Sequence, residues 1–203
     1  MNNNREYRTM ELKFAPNEGE EKSYMVDGYA STFESYVLMT RDGINYSERI
    51  EPTAFDNADM SDVVFRVDHE GPVYARTSAG TVKVWTDKHG LAQRTDLSKT
   101  QRARELFADI EAGNYPQMSF AFTVADEHYD KATHTRIIDR IAKVFDVSAV
   151  SFPANPTTEL SIATRDYFNG VIEAEKAERL EREALELERR RAEVRTKALL
   201  GGN

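Results

Sequence analysis

Residues 117–125 read Gln-Met-Ser-Phe-Ala-Phe-Thr-Val-Ala, an alternation of large apolar side chains with small or polar ones. A period of two of this kind predicts a β-strand over 118–125. Phe120, Phe122 and Val124 then face a core, whereas Ser119, Ala121 and Thr123 face the other way. The small residues on that second face leave room for the backbone of a bound peptide.

Short segments with strand character recur on both sides of this stretch. One helix is predicted over 100–111, where Ala103, Leu106 and Ile110 form an apolar stripe and Gly113 follows as a stop. The whole pattern predicts a mainly β fold with helices, in which antiparallel strands form a barrel-like domain. The further predicted strands are 8–14, 24–30, 63–67, 81–86, 91–96, 135–139 and 143–152.

Three connecting segments are predicted as turns or loops. Residues 33–52 have an irregular pattern with turn residues at Asp42 and Gly43, which predicts a long loop. Residues 68–72 follow an apolar strand and include a Gly-Pro pair, which predicts a turn. Residues 126–133 are polar and predict another turn between the last strands.

The final part of the chain differs in composition and in period. Beyond Val171 it consists almost entirely of Glu, Arg, Lys, Ala and Leu. Apolar residues at alternating steps of three and four, among them Leu180, Leu187 and Val194, predict a charged helix with a thin heptad-like stripe. The sequence therefore divides into a domain over 1–165 and a helical tail over 166–203. The tail is either a solvated helix or an interaction segment.

Composition excludes several classes of function. The 203 residues include no cysteine, which rules out disulfides, thiolate catalysis and metal sites that use sulfur. The net charge of −8 argues against a nucleic-acid partner. No stretch approaches ~18 apolar residues, so neither a membrane span nor a secretory signal is expected. The four histidines form no close ligand cluster, and we expect no metal and no cofactor.

Without cysteine, a hydrolase of this size needs either a hydroxyl nucleophile with a base or a metal site. His69 ends an apolar strand, at the kind of rigid edge that holds catalytic groups well. Ser119 lies on the face of its strand where a base could accept its proton. His89 and His128 lie in polar turns, which favours solvated roles, and His134 has no acidic partner near it in the sequence.

Asp146 is an acidic residue within the otherwise apolar run 144–150. A carboxylate is costly to bury there unless another group pairs with it. A carboxylate of this kind can orient a catalytic histidine and stabilise its charged form. Taken one at a time, however, Asp146, Ser119 and His69 each have an ordinary explanation as a residue of a β-strand.

The order of these landmarks resembles that of the prohead maturation proteases of tailed bacteriophages, whose fold and mechanism are similar to those of herpesvirus assemblin proteases. The resemblance covers residues 8–165. Asp68, Ala121 and Asp146 stand where the family usually has Asn, Gly and Glu. The matching segments are 28–33 (the family's G-Y-A strand), 48–55 (E-x-I-x-P-G-A-F), 64–70 (an apolar strand ending in an Asn-His-Asp type motif), 117–122 (G-M-S-F-G-F) and 145–156 (containing E-V-S-x-V-x-F-P-A-N-P).

The resemblance implies a serine endopeptidase of the assemblin-like fold type. Ser119 is then the nucleophile, His69 its base and Asp146 the third catalytic member. The implied substrate is the scaffolding region of the major capsid protein, cleaved inside the procapsid in the host cytoplasm. Self-cleavage and a dimer are implied as well, and the charged tail becomes a candidate packaging handle or autolysis target.

Two other functions are compatible with parts of the sequence. A non-enzymatic scaffold or decoration protein that retains the protease fold would account for the long charged tail. A metal-dependent hydrolase would lose its activity with chelators, whereas a serine hydrolase would not.

Overall fold

The computed structural model describes residues 5–11, 23–151 and 162–200. The chain forms two compact units, Met1–Ser161 and Ile162–Asn203. The first unit is mainly β and contains all three residues of the predicted site, and the second is a helix. A mainly β fold with helices is therefore confirmed.

The described residues contain ten strands and two α-helices. α1 (Gln101–Glu111) lies within the β unit, and α2 (Ile162–Leu200) forms the second unit. A short 3-10 turn lies at Thr77–Ala79. The strands are β1 (Glu6–Glu11), β2 (Met25–Thr32), β3 (Tyr36–Arg41), β4 (Ile44–Ile50), β5 (Val64–Val67), β6 (Glu70–Arg76), β7 (Val82–Thr86), β8 (Gly90–Asp96), β9 (Gln117–Asp130) and β10 (Thr135–Val150).

The long hairpin of β9 and β10 is the centre of the larger sheet. β1 pairs with β9 on one side in antiparallel orientation. On the other side, β4 pairs in parallel with the first half of β10, and β5 pairs in parallel with its second half. β3 and β6 extend the sheet from β4 and β5. β2, β8 and β7 form a separate antiparallel sheet.

Most of these strand pairs are antiparallel, as the sequence predicts, and only the two pairs that β10 makes with β4 and β5 are parallel. Within the described residues, the strand pairings form two open sheets and no closed ring. The barrel-like arrangement therefore stays a prediction.

The core lies on the face of β9 that the alternation predicts. Phe120 and Phe122 are fully buried, and their rings stack with centroids 4.5 Å apart. α1 packs its apolar stripe into the same core through Leu106, Phe107 and Ile110. The helix begins after Thr100, whose hydroxyl accepts a hydrogen bond from the Ala103 amide. It ends before Gly113, which has a left-handed backbone with φ of 81°.

The long loop predicted over 33–52 is wrong, because this segment forms the β3–β4 hairpin. Asp42 and Gly43 make its two-residue turn with positive φ at both positions, and Arg41 pairs with Ile44 across it. Asp-Gly is a strong signal for this type of turn. The strand pattern of β4 is hidden because one of its inward positions carries the charged residue Glu48, which is fully buried.

The other two predicted turns are shorter than expected. The turn at 68–72 consists of two residues only, and the chain continues as β6, an edge strand that tolerates Pro72. The predicted turn at 126–133 is wrong for its first five residues, because β9 continues to Asp130. The two predicted strands 135–139 and 143–152 form one bulged strand, β10, which ends at Val150, and residue 152 lies outside the described residues.

A network of buried charges joins β1, β4 and β10 on the core side of the larger sheet. Glu48 accepts hydrogen bonds from Arg8 and, at 2.9 Å, from Arg136. Glu6 accepts from Arg8 at 2.8 Å and from Arg136 at 2.6 Å. All four side chains are at least nine-tenths buried. Burial alone would lower the pKa of Arg8, but Glu48, Tyr36 and Glu6 together more than offset this effect and the pKa is raised.

α2 confirms the helix predicted beyond Val171, although the helix begins earlier, at Ile162. Along it, Leu180, Leu187 and Val194 of the heptad-like stripe are at least half exposed. Arg189 and Glu193 form an ion pair between adjacent turns, with 3.6 Å between Nε and Oε1. No helix in the described ranges is long and apolar enough to cross a membrane.

The buried network predicts that Glu48→Gln lowers the free energy of unfolding by about 3–5 kcal/mol, because two buried guanidinium groups lose a shared counter-charge. The control Asp27→Asn removes a charge from the more exposed pair with Arg94 and changes the free energy by less than about 1 kcal/mol. Urea unfolding followed by the fluorescence of Trp85 measures both changes. Equal effects of the two substitutions would contradict an energetic role for the network.

Candidate active site

Ser119 lies on the face of β9 opposite to the phenylalanines. Its register partners are Thr9 on β1 and Ser148 on β10, so small hydroxyl side chains flank it on both neighbouring strands. Ser119 is 1% exposed. The alternation of side chains on β9 thus places the Ser119 hydroxyl on the face that the sequence predicts, but Ser119 is buried rather than exposed on that face.

His69 occupies the second position of the two-residue turn between β5 and β6. Val67 and Glu70 pair across this turn, and both Asp68 (φ 47°) and His69 (φ 60°) have left-handed backbones. Positive φ at both central residues defines the type I′ hairpin turn. For a residue other than glycine this conformation costs roughly 1–3 kcal/mol and needs support from its surroundings.

Asp68 supplies support for the turn from β10. Its amide donates to the carbonyl of Ala149 at 3.0 Å, which extends the parallel pairing of β5 with β10. Its carboxylate accepts a hydrogen bond from the Ser151 amide at 2.9 Å. The turn that carries His69 is therefore fixed to the end of the strand that carries Asp146.

The three residues predicted as a site form one hydrogen-bonded chain. His69 Nε2 lies 2.6 Å from Ser119 Oγ, and His69 Nδ1 lies 2.6 Å from Asp146 Oδ1. With the Nδ1 proton directed at the carboxylate, Nε2 is free to accept the serine proton. The Asp146 side chain is 5% exposed and that of His69 14%. This shielding from water strengthens the electrostatic interactions within the chain.

A β-bulge turns Asp146 toward His69. On β10, the step from Val144 to Asp146 matches a single step from Phe122 to Ala121 on β9, so Phe145 is the extra residue. The bulge lets Val144 remain in the core while Asp146 faces the side of Ser119. Ser148 donates a hydrogen bond to Asp146 Oδ1 at 2.7 Å, so this buried carboxylate is held by two partners.

Tyr7 is a part of the site that the sequence reasoning missed. Its ring lies against the ring of His69, with centroids 4.5 Å apart and planes tilted by 54°. Tyr7 is the register partner of Ala121, and the residue is 38% exposed. The neighbours Glu6 and Arg8 belong to the buried charge network, which fixes β1 while Tyr7 covers the imidazole. The family resemblance begins at residue 8, so it gives no indication of the contact between Tyr7 and His69.

The other three histidines lie away from this chain of hydrogen bonds. His89 is in the β7–β8 turn, as predicted. His128 lies within β9 rather than in a turn, and its exposed ring is 2.6 Å from Asp139. His134 accepts or donates at 3.0 Å to the hydroxyl of Tyr129. Within residues 5–11, 23–151 and 162–200, no group of three or more acidic or histidine side chains could hold a metal ion.

A serine hydroxyl, an imidazole and a carboxylate linked in this order are the arrangement that serine hydrolases share. The chain belongs to the family of caudovirus prohead serine proteases, whose family model matches residues 10–170. The family is one of serine proteases that act in capsid maturation, inside the procapsid and on capsid proteins. Comparisons with curated proteins and with solved structures gave no match. The resemblance to prohead proteases is thus confirmed.

The contact between Tyr7 and His69 predicts that Tyr7→Ala lowers the peptidase kcat by about 3–10-fold, because an aromatic ring beside an imidazole stabilises its charged form and excludes water. Tyr7→Phe keeps the ring and is expected to stay within about twofold of the parent protein. Tyr29→Ala is the matched control, since Tyr29 contacts the turn residue His89 at 5.9 Å. An equal loss in all three variants would show that the Tyr7 ring has no specific role.

Proposed function

We propose that the protein is a serine endopeptidase in which Ser119 is the nucleophile, His69 the general base and Asp146 the residue that orients the imidazole. The observation that carries the proposal is the pair of 2.6 Å contacts that His69 makes, one from each ring nitrogen. A serine hydroxyl is a weak nucleophile until a base is within reach of its proton. The two contacts supply both the base and the group that fixes its tautomer.

The reaction is acyl transfer in two stages. His69 Nε2 takes the Ser119 proton while Oγ forms a bond to the peptide carbonyl carbon. His69 then gives that proton to the leaving amine as the peptide bond breaks. In the second stage a water molecule gives a proton to His69 and attacks the acyl carbon. The bond from that carbon to Oγ then breaks, and His69 passes the proton to Oγ, which releases the carboxylic acid and restores Ser119. Backbone amides that bind the oxyanion contribute much of the rate in such reactions.

The proposed substrate is the scaffolding region of the major capsid protein, together with the protease itself. Membership of the prohead protease family supports this choice, because the family acts inside the procapsid. Removal of these segments would let fragments leave the particle before it is filled. We further propose the assemblin-like barrel arrangement for the domain over 1–165, and dimer formation as in assemblin-type enzymes.

The charged tail over 166–203 is proposed to act as a packaging handle or as a site of autolysis. Its support is the exposed helix α2, in which leucines at positions 180, 185 and 187 are each at least half exposed. Beyond Val171, α2 exposes these leucines among many charged residues, so it offers a surface for another assembly component.

Replacement of the nucleophile gives the direct test of this function. Ser119→Ala is expected to abolish trimming of a co-expressed capsid protein and any self-cleavage, as read by intact-mass spectrometry. The control Ser78→Ala, at an exposed position of the Thr77–Ala79 turn, is expected to process normally. If Ser119→Ala still trims the capsid protein, the nucleophile is another residue. If neither the parent protein nor the control trims anything, the chain is a non-enzymatic assembly protein.

The role of the acid is tested separately. Asp146→Asn is expected to lower kcat by about 10⁴-fold, because the amide favours the wrong imidazole tautomer. Ser148→Ala removes one hydrogen bond to Asp146 and leaves the carboxylate in place, so a loss of only about tenfold is expected. Rates on a peptide substrate measure both variants. Near-normal activity of Asp146→Asn would assign the third position to another group.

A further inference from the structure

Arg66 is a cation on the site face of the sheet that the proposed mechanism does not use. It pairs with Ser148 in the parallel ladder of β5 and β10, and Ser148 pairs with Ser119 in the next ladder. Residues in register on neighbouring strands project to the same face. Arg66, Ser148 and Ser119 therefore form one row across three strands, with roughly 10 Å between the first and the last Cα atom.

Within the described residues, the guanidinium of Arg66 has no counter-charge. Its contact in the structure is one long hydrogen bond, from Nη1 to the carbonyl of His69 at 3.4 Å. Its Nε is buried without any acceptor. No carboxylate in the described parts of the chain lies within ion-pair distance of it. By contrast, Arg8 contacts two glutamates, Arg136 contacts three, and Arg94 pairs with Asp27.

A partly buried cation without a counter-charge is costly to a protein, and a bound anion compensates that cost. A planar guanidinium is well matched to a carboxylate, which it binds through two parallel hydrogen bonds. The contact with the His69 carbonyl places this group beside the catalytic histidine. A side chain of a substrate bound at Ser119 would lie on the same face of the sheet as this guanidinium.

We propose that Arg66 forms a carboxylate-binding subsite, which gives the enzyme a preference for substrates with Asp or Glu next to the scissile bond. The subsite rests on the proposed endopeptidase function and adds the substrate class to it. The guanidinium binds the carboxylate of the substrate's Asp or Glu, while the neighbouring peptide carbonyl of the substrate lies over Ser119. Arg66 is thus a specificity-determining residue.

The test compares peptides that span a mapped capsid cleavage site and carry either Glu or Gln at each flanking position in turn. At one position, the parent protein cleaves the Glu peptide with a kcat/KM about 10–100-fold higher than the Gln peptide, as expected for a hydrogen-bonded charge pair. Arg66→Met retains much of the aliphatic stem and removes this preference, while kcat/KM for the Gln peptide stays within about threefold. Arg66→Glu transfers the preference to a Lys peptide.

Two controls separate the possible results. Arg94→Met removes an arginine of the other sheet and keeps the preference for Glu. Binding of the uncleaved Glu and Gln peptides to Ser119→Ala, with and without Arg66→Met, gives the same discrimination as a ratio of Kd values. This second measurement also covers the case in which an Arg66 variant turns over poorly.

The subsite is overturned if Arg66→Met lowers kcat/KM equally for both peptides, because Arg66 would then only support the His69 turn. It is also overturned if the parent protein cleaves both peptides equally well at every flanking position. Failure of the proposed function looks different, since the parent protein then cleaves no peptide, or Ser119→Ala cleaves as well as the parent does.

Discussion

The register of β10 is the constraint on which the site depends. This strand carries Asp146, pairs with the Ser119 strand on one edge and pairs in parallel with the strand that leads to His69 on the other. The bulge at Phe145 changes the face of the sheet to which the next side chains of β10 point. Val144 therefore stays in the core while Asp146 faces the imidazole. The bulge also helps the carboxylate of Asp146 to reach His69. Aspartate is one methylene shorter than the glutamate usual in this family, and a bulge that moves the backbone is a way to place the shorter side chain 2.6 Å from His69.

The two faces of the larger sheet differ in function, and β1 contributes side chains to both of them. On the core face, Glu6 and Arg8 join β1 to Glu48 and Arg136 through buried ion pairs. On the site face, Tyr7 lies against His69. Buried ion pairs add little net stability compared with an apolar core, but they are specific about geometry, because a shifted register would leave charges unpaired. We interpret the network as the element that holds β1 in register, and Tyr7 over the imidazole.

The sequence allowed much of the site to be predicted, because Ser119, His69 and Asp146 lie in short motifs with a fixed order. It predicted local elements well where the side chains alternate cleanly, as in the first half of β9 and in β7. It failed over β3 and β4, because the inward position of Glu48 breaks the apolar pattern, and the partners that neutralise Glu48 come from distant segments. Tyr7, Ser148 and Arg66 reach the site through strand register, which no local pattern encodes. Sequence reasoning therefore identified the three side chains that the structure joins by hydrogen bonds and missed the residues around them.

The central claim is that His69 and Asp146 activate the hydroxyl of Ser119, and covalent labelling tests it most directly. A fluorophosphonate reacts with a serine only when that serine is activated as a nucleophile. Incubation of the full chain with such a reagent, followed by peptide mapping, is predicted to give a single adduct on Ser119. The adduct should be lost in His69→Ala although Ser119 is still present. Labelling of a different serine, or undiminished labelling of Ser119 in His69→Ala, would contradict the account.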